Sequence, residues 1–252
     1  MKLVENISLE EINGKTYKVR LIESIDYGKA SLSHYLHNST NGISKNYKKS
    51  AHLYLKHVLE LKYPEVEITN TVAENAMQYL LFNYKKEDIP FPSPENPTFK
   101  FIDLFSGIGG FRLASQNLGG NCVFSSEWDE YSQKTYEANF GETPFGDITK
   151  AETRKFIPKN YDLLCAGFPC QPFSYAGLKQ GFEETRGTLF FDILEILKTT
   201  EPRMFLLENV KGLKSHEGGK TLKIIEKSLK DLGYTIKWEI LNSYDFRLPQ
   251  YR

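Results

Sequence analysis

The chain has 252 residues with 32 basic and 32 acidic side chains, so its formal net charge at neutral pH is zero. Binding to a polyanion would therefore depend on how these charges are distributed, because the net field gives no long-range attraction. The three cysteines show no paired spacing, and no apolar stretch near the N-terminus has the length of a signal peptide or a membrane span. These features predict a protein of the reducing cytoplasm that does not enter a membrane.

Residues 1–88 are predicted to form a small, mostly helical accessory domain. Asn13 and Gly14 separate two runs of partly alternating polarity, which predicts a β-hairpin within the first 25 residues or so. Apolar side chains at helical spacing then predict helices over 51–63 and 69–84. DNA binding by this domain, for example through a helix-turn-helix, is an open alternative. Its histidines have no metal-ligand spacing to cysteines and are interpreted as surface or packing residues; they are His34, His37, His52 and His57.

A proline-rich segment at 89–98 predicts a linker, because prolines at four of its ten positions exclude a helix and a central strand. Beyond the linker, strand and helix patterns alternate, which predicts an α/β fold with a doubly wound parallel sheet. The strands are predicted at 100–105, 122–126, 162–167, 204–208 and 235–241, with one more before Asp147, and the helices at 110–118, 129–140, 188–198 and 221–232.

A glycine-rich turn, Ser106–Gly110, follows the first strand of this region. Glu127 stands at the end of the second strand, where a carboxylate can accept both hydroxyls of a ribose, and Asp147 follows the third. The dinucleotide fingerprint requires a third glycine where this chain has Arg112, which disfavours close approach of a pyrophosphate. The pattern therefore predicts an adenosine-like ligand without a pyrophosphate, with Trp128 as a candidate cover for its base; the alternative for Trp128 is a core residue.

Two prolines bracket a cysteine at the end of the strand predicted at 162–167. Pro169 and Pro172 each fix φ at about −65° and push the preceding residue toward extended backbone, so Cys170 is presented on a stiff turn. This placement favours a nucleophile. The alternative is a small apolar residue that fills a strand end, which is how Cys122 and Cys165 are interpreted.

Seven sequence motifs occur in the order found in one enzyme family. They are FIDLFSGIGGFRLA (101–114), SEWD (126–129), GDIT (146–149), AGFPCQPFS (166–174), RGTLFFDI (186–193), LLENVKGLKSH (206–216) and PQYR (249–252). Together they resemble the bacterial cytosine-C5 DNA methyltransferases of restriction-modification systems, of the HhaI and Dcm types. The resemblance implies that residues 99–252 form a catalytic domain with the Rossmann-like, doubly wound sheet of S-adenosylmethionine-dependent methyltransferases.

The same resemblance implies a cofactor and a set of site residues. The cofactor is S-adenosyl-L-methionine, with no metal, and the positions that match its lining are Phe105, Gly107, Ile108, Gly110, Glu127, Trp128, Asp147, Ile148, Pro169 and Leu189. The catalytic positions are Cys170, Glu208 and Arg252, the last matching an arginine that braces the target base and its phosphate. Residues 177–187 match the mobile loop that closes on DNA.

The chemistry explains why these residue types are needed. Carbon 5 of cytosine is a weak nucleophile, so a cysteine thiolate first adds to C6 and makes C5 enamine-like. The addition moves electrons toward N3, where the family uses a glutamate as proton donor, matched here by Glu208. Glu208 follows the apolar run Phe205–Leu207, which is expected to be buried; a solvated carboxylate that starts a loop is the alternative. The base must leave the double-stranded DNA to reach these groups, at a cost of a few kcal/mol.

The family pattern continues beyond PQYR into a target-recognition region and a closing segment of the cofactor pocket. The expectation is therefore a truncated enzyme or one half of a split enzyme whose recognition part belongs to a second polypeptide, and the DNA target is unreadable. Two other functions stay open. One is an RNA cytosine-C5 methyltransferase, and the other is a DNA-binding protein whose methyltransferase body is non-catalytic.

Overall fold

The computed structural model of the chain describes residues 17–39, 42–85, 88–169 and 189–248, with the backbone alone for 17–26. The predicted hairpin turn at Asn13-Gly14, the nucleophile Cys170, the loop at 177–187 and Arg252 lie outside these ranges.

The described residues fall into two compact units. Unit 1 comprises the residues up to Gly167 together with Thr200–Leu206, and unit 2 comprises Phe168–Thr199 and the residues from Leu207 onward. The accessory domain and linker predicted before residue 99 stay a prediction, because the division into units falls elsewhere in the chain.

A parallel sheet forms the centre of unit 1. Its strands stand in the order β2-β1-β3-β4. They are β1 (Phe99–Leu104), β2 (Gly120–Ser126), β3 (Leu163–Gly167) and β4 (Met204–Glu208), whose last two residues belong to unit 2. Strand β1 pairs in parallel with both β2 and β3. The prediction of a doubly wound α/β sheet is confirmed, and each of these strands lies within two residues of its predicted range.

Helices precede, connect and follow these strands. They are α1 (Tyr17–His37), α2 (Lys45–Lys62), α3 (Asn70–Phe82), α4 (Gly110–Asn117), α5 (Glu130–Phe140), α6 (Ala151–Arg154), α7 (Leu189–Thr200) and α8 (Lys220–Asp231). Several begin where the sequence supplies a cap. The Asp129 side chain accepts from the Ser132 N–H at 2.8 Å to start α5, and Gly141 ends this helix at φ +66°. Within the described ranges, no helix combines the length and apolarity needed to cross a bilayer.

The core beside β1 contains two of the three cysteines. Cys122 and Cys165 are fully buried next to Phe101, and Phe111 of α4 packs against this cluster. Burial raises the pKa of the Cys165 thiol to about 12, so the inert thiol form dominates near neutral pH. The interpretation of these two cysteines as core residues is confirmed.

The N-terminal helices cover the outer edge of β2. The Tyr47 hydroxyl of α2 donates to the carbonyl oxygen of Val123 at 2.5 Å, and the N–H of Ser125 donates to the His34 imidazole of α1 at 3.2 Å. The N–H of Phe145 donates to the carbonyl oxygen of Ser125 at 2.8 Å. Backbone groups at this edge are therefore satisfied by residues from outside the sheet.

The proline-rich segment at 89–98 also packs against the sheet's helices. The Gln116 side chain of α4 donates to the carbonyl oxygens of Phe91 and Pro92, both at 3.1 Å, and the Phe91 N–H donates to the carbonyl oxygen of Asn139 at 3.0 Å.

Four structural expectations need correction. The residues from Tyr17 onward, predicted as the second hairpin strand, belong to α1; Val19, Ile22 and Ile25 repeat every three residues, which suits one face of a helix and not one face of a strand. The strand expected before Asp147 is a single bridge between Ser126 and Phe145.

The strand predicted at 235–241 is irregular backbone. No strand within the described ranges pairs with its alternating apolar residues, and the Trp238 indole N–H donates instead to Glu226 of α8 at 2.8 Å. The predicted burial of the run before Glu208 is also wrong, since Leu206 is 49% exposed and Phe205 and Leu207 are half-buried. Strand β4 is the outermost strand of the described sheet, so no neighbouring strand covers its free edge.

Candidate active site

The turn after β1 is built by backbone conformations that few side chains tolerate. Phe105, Gly107 and Gly109 have φ of +54°, +53° and +96°. A Cβ at Gly109 would lie 2.0 Å from the Phe140 ring, whereas a Cβ at Gly107 or Gly110 would meet nothing within 4 Å. Glycine is therefore required at 109 by packing, and the backbone at 107 and 110 faces open space where a ligand can approach.

Glu127 joins the ends of β1 and β2. Its carboxylate accepts from the Gly107 N–H at 2.7 Å and from the N–H groups of Trp128 and Asp129, both at 2.9 Å. The side chain is therefore fixed and only 8% exposed. The oxygen that binds Gly107 takes this one described hydrogen bond, so it keeps a lone pair for a hydroxyl donor. The structure brings Glu127 to the glycine turn, and its contact with a ribose stays a prediction.

Two large apolar side chains stand exposed near this carboxylate. Trp128 is 77% exposed and Ile108 is 60% exposed. Exposure of such side chains carries a hydration cost, and a flat ligand that covered them would remove it. The core alternative for Trp128 is therefore wrong.

Asp147 and Ile148 lie on a segment held against the end of β2. The Glu127 N–H donates to the carbonyl oxygen of Phe145 at 2.8 Å, which fixes the start of this segment. One carboxylate oxygen of Asp147 accepts from the Thr149 N–H and hydroxyl at 2.9 and 2.8 Å, so the other oxygen can accept from a ligand donor. Ile148 is 3% exposed, so its side chain anchors this segment in the protein interior.

The sequence motifs did not predict a buried cluster of charged side chains next to the glycine turn. Arg112 is fully buried, and its guanidinium donates to Glu142 at 2.5 Å and to the Tyr136 hydroxyl at 3.0 Å. Burial by itself raises the pKa of Glu142, but the Arg112 charge, the two nearby imidazoles and the Arg112 hydrogen bond together outweigh burial and lower the pKa to about 2. The arginine that replaces the third glycine therefore has a structural role of its own.

Asp103 lies in β1, two residues before Phe105, and is also fully buried. Burial raises the pKa of its carboxyl well above the ordinary value and so favours the protonated form. The only sequence signal for Arg112 and Asp103 is a charge inside an apolar run, which does not identify the partner.

Unit 2 contains the residues that flank the predicted nucleophile. Pro169 is exposed at the last described position before Cys170, and Phe168 packs 6.1 Å from the Phe190 ring, next to Leu189. The Asn209 side-chain amide donates to the carbonyl oxygen of Phe168 at 2.8 Å. The end of β4 that carries Glu208 is therefore tied to the segment that leads into Cys170.

Glu208 is exposed at the end of β4, so its carboxylate is accessible to a substrate. The Asn209 side chain fixes the following turn as well, because its oxygen accepts from the Val210 N–H at 2.9 Å. No group of three potential metal-ligating side chains occurs among the residues that the structure describes.

The amino-acid sequence is similar to those of known proteins. Residues 99–252 match the family model of the C-5 cytosine-specific DNA methylases. The chain is 58% identical over 186 residues to the Type II methyltransferase M.HpaII of Haemophilus parainfluenzae, which covers 73% of this chain and 50% of that protein. It is 50% identical over 153 residues to M.HhaI of Haemophilus parahaemolyticus, which covers 61% of this chain and 46% of that protein.

A solved structure, the Dnmt2 methyltransferase of S. pombe, aligns with a TM-score of 0.47 at 23% identity over 61% of this chain and 46% of that one. The chain spans about half the length of the curated relatives that it matches. The match to the family model extends over more than half of the chain and includes the glycine turn, Glu127, Asp147 and the segment around Glu208. The chain belongs to the family of C-5 cytosine-specific DNA methylases.

Proposed function

We propose that the protein transfers a methyl group from S-adenosyl-L-methionine to carbon 5 of cytosine in double-stranded DNA. The observation that carries this proposal is the Asn209–Phe168 hydrogen bond within the family region, because it ties the Glu208 strand end to the segment entering Cys170. A nucleophile and a proton donor that act on one pyrimidine ring must be held in such proximity.

The residues of unit 1 fit an S-adenosylmethionine ligand. The Glu127 carboxylate keeps a lone pair for a ribose hydroxyl, Asp147 keeps an oxygen for an amino group of the base, and the exposed Trp128 ring offers an apolar surface. The open space at Gly107 and Gly110 admits the ligand close to the backbone. The bound cofactor supplies an electrophilic methyl group on a sulfonium.

The proposed chemistry uses the protein's own groups in a fixed order. The Cys170 thiolate adds to C6 of a cytosine that has left the duplex, and Glu208 donates a proton at N3. C5 then takes the methyl group, with S-adenosylhomocysteine as the leaving group. C5 loses its proton to a base, the bond between sulfur and C6 breaks to release the thiolate, and N3 returns its proton to Glu208. Arg252 is proposed to brace the base and its phosphate.

The proposed activity on double-stranded DNA is an activity of the complete protein, because the chain spans about half the length of its relatives. Recognition of one DNA sequence is expected from further residues, whether these belong to the same polypeptide or to a second one. In a restriction-modification system, such methylation would protect DNA from a cognate restriction enzyme.

The test is expression of the full-length gene in a bacterial host without cytosine methylation, followed by bisulfite sequencing of host DNA and tRNA. Protected cytosines within one short DNA sequence are expected, and their loss in a Cys170→Ser strain assigns them to this protein. Protected cytosines in tRNA alone would establish the RNA alternative. No modified cytosine in either, with the protein expressed and folded, would contradict the proposal.

A further inference from the structure

Helix α1 contributes a buried imidazole to the segments that carry the proposed cofactor ligands. His34 is fully buried, and its two ring nitrogens have opposite roles. Nδ1 lies 2.9 Å from the carbonyl oxygen of Ala30, which can only accept, and Nε2 lies 3.2 Å from the N–H of Ser125, which can only donate. The ring is therefore neutral, with its proton on Nδ1.

The electrostatic surroundings agree with a neutral ring. Burial lowers the pKa of His34, although the Glu142 carboxylate, 3.3 Å from Nε2, acts in the opposite direction. Glu142 already holds the Arg112 guanidinium at 2.5 Å and accepts from the Ser125 hydroxyl at 3.2 Å. Nε2 therefore accepts its hydrogen bond from the Ser125 N–H of β2. The Arg112 guanidinium balances the charge of the Glu142 carboxylate.

His34 contacts both segments that lead into the proposed cofactor site. Ser125 lies two residues before Glu127, the proposed ribose ligand. Phe145 lies two residues before Asp147, and its ring centroid is 4.7 Å from that of the His34 imidazole. The same two segments are joined by the hydrogen bonds between Phe145 and residues 125 and 127. One imidazole therefore supports the backbone of two proposed ligand residues from outside the sheet.

Residue 34 lies outside the family match, which begins at residue 99. We propose that α1 is an integral part of the cofactor-binding half of this enzyme, and that His34 is a positioning residue that fixes the segments carrying Glu127 and Asp147. This inference rests on the proposed S-adenosylmethionine function of that site. It assigns to the N-terminal helices a role in cofactor binding that differs from an accessory DNA-binding domain.

The experiment is calorimetric titration of the full-length protein with S-adenosylmethionine, together with urea unfolding of each variant. His34→Ala should weaken cofactor binding by about tenfold, because the Ser125 N–H loses its acceptor in a buried place. His34→Gln should restore most of the affinity, since its amide oxygen can occupy the position of Nε2.

Tyr47→Phe is the matched control. It removes another buried hydrogen bond from the N-terminal helices to β2, at the Val123 carbonyl, without touching the Ser125 or Glu142 contacts. It should destabilise the protein while changing cofactor affinity by no more than about twofold. His52→Ala is a second control, because that ring contacts Asn70 in α3 and not the sheet.

The outcomes separate the inference from the function on which it rests. If the wild-type protein binds no S-adenosylmethionine, the proposed function is wrong, and the inference that rests on it is wrong as well. If the wild type and His34→Ala bind S-adenosylmethionine equally well, the positioning role is wrong. It is also wrong if Tyr47→Phe, at a similar loss of stability, weakens cofactor binding as much as His34→Ala does. Should His34→Ala fail to fold, His34→Leu, which fills the same space and also lacks an acceptor, takes its place. Equal binding by His34→Leu and His34→Gln would then contradict the positioning role.

Discussion

The side-chain amide of Asn209 donates a hydrogen bond to the carbonyl oxygen of Phe168 at 2.8 Å. This contact links residues 41 positions apart, one directly after the proposed proton donor and the other two residues before the proposed nucleophile. A neutral amide with no proposed part in the chemistry is therefore expected to set the distance between the proposed nucleophile and the proposed proton donor.

Asn209→Asp should lower the rate of methyl transfer by about tenfold or more, because it keeps the acceptor for the Val210 N–H and removes the donor to Phe168. Cofactor affinity should stay within about twofold of wild type. Single-turnover methylation of DNA by the full-length protein measures the rate. An unchanged rate would show that the strand ends are held by other contacts.

Cys170→Ser should abolish methyl transfer and leave S-adenosylmethionine binding within a few-fold of wild type, because the thiol is proposed to contact the base. Cys165→Ala is the matched control at a buried thiol. It should cost on the order of 1 kcal/mol of unfolding free energy and leave the chemistry intact. Turnover at the wild-type rate in Cys170→Ser would contradict the covalent mechanism.

Glu127→Ala should weaken S-adenosylmethionine binding far more than Glu208→Ala, by about tenfold or more, since the first carboxylate fixes the glycine turn and is proposed to hold the ribose. Calorimetric titration of both variants gives the comparison. Equal losses of affinity would mean that the two acids do not serve two separate ligands.

Three glycine substitutions should separate packing from backbone conformation at the turn. Gly109→Ala should destabilise the protein by about 2 kcal/mol or more, because its Cβ would meet the Phe140 ring at a positive φ. Gly107→Ala should cost about 1 kcal/mol from its positive φ alone, and Gly110→Ala, without either problem, should be close to neutral. Urea unfolding midpoints test this order, and a Gly110 variant as unstable as the Gly109 variant would contradict it.

Acid should destabilise the protein through Glu142. A carboxylate whose pKa falls from 4.5 to about 2 on folding contributes stability above pH 4.5, and this contribution is lost as the pH falls toward 2. The shift corresponds to on the order of 3 kcal/mol. Unfolding free energies between pH 7 and pH 3 should therefore fall less steeply in Glu142→Gln, which starts from a lower stability because Arg112 loses its charged partner. Parallel pH profiles for the two proteins would assign the acid sensitivity elsewhere, for example to other carboxylates.

The sequence predicted the elements whose signals are local. Strands β1 and β3 are mostly apolar runs that end at glycine-rich or proline-rich turns, and their ends were placed within one residue. Glu127 was placed beside the glycine turn because parallel strands end at one edge of a sheet.

The features that were missed depend on partners distant in the chain. Nothing at position 34 indicates that its side chain will meet Ser125, 91 residues later, and Arg112 alone does not identify Glu142. The strand predicted at 235–241 failed for a related reason, since alternating polarity specifies a strand only where another strand offers backbone hydrogen bonds. The roles of Cys170 and Arg252 stay predictions, because both lie outside the described residues.

The covered edge of β2 has a practical consequence for anyone who isolates the family region. Cutting the chain at residue 99 would uncover the Val123 carbonyl and the Ser125 N–H on a fully buried strand. An open, apolar strand edge is a template for intermolecular β-pairing, so the trimmed fragment is expected to self-associate into aggregates. The smallest well-behaved fragment should begin upstream of α1, and light scattering of the two fragments at equal concentration would show the difference.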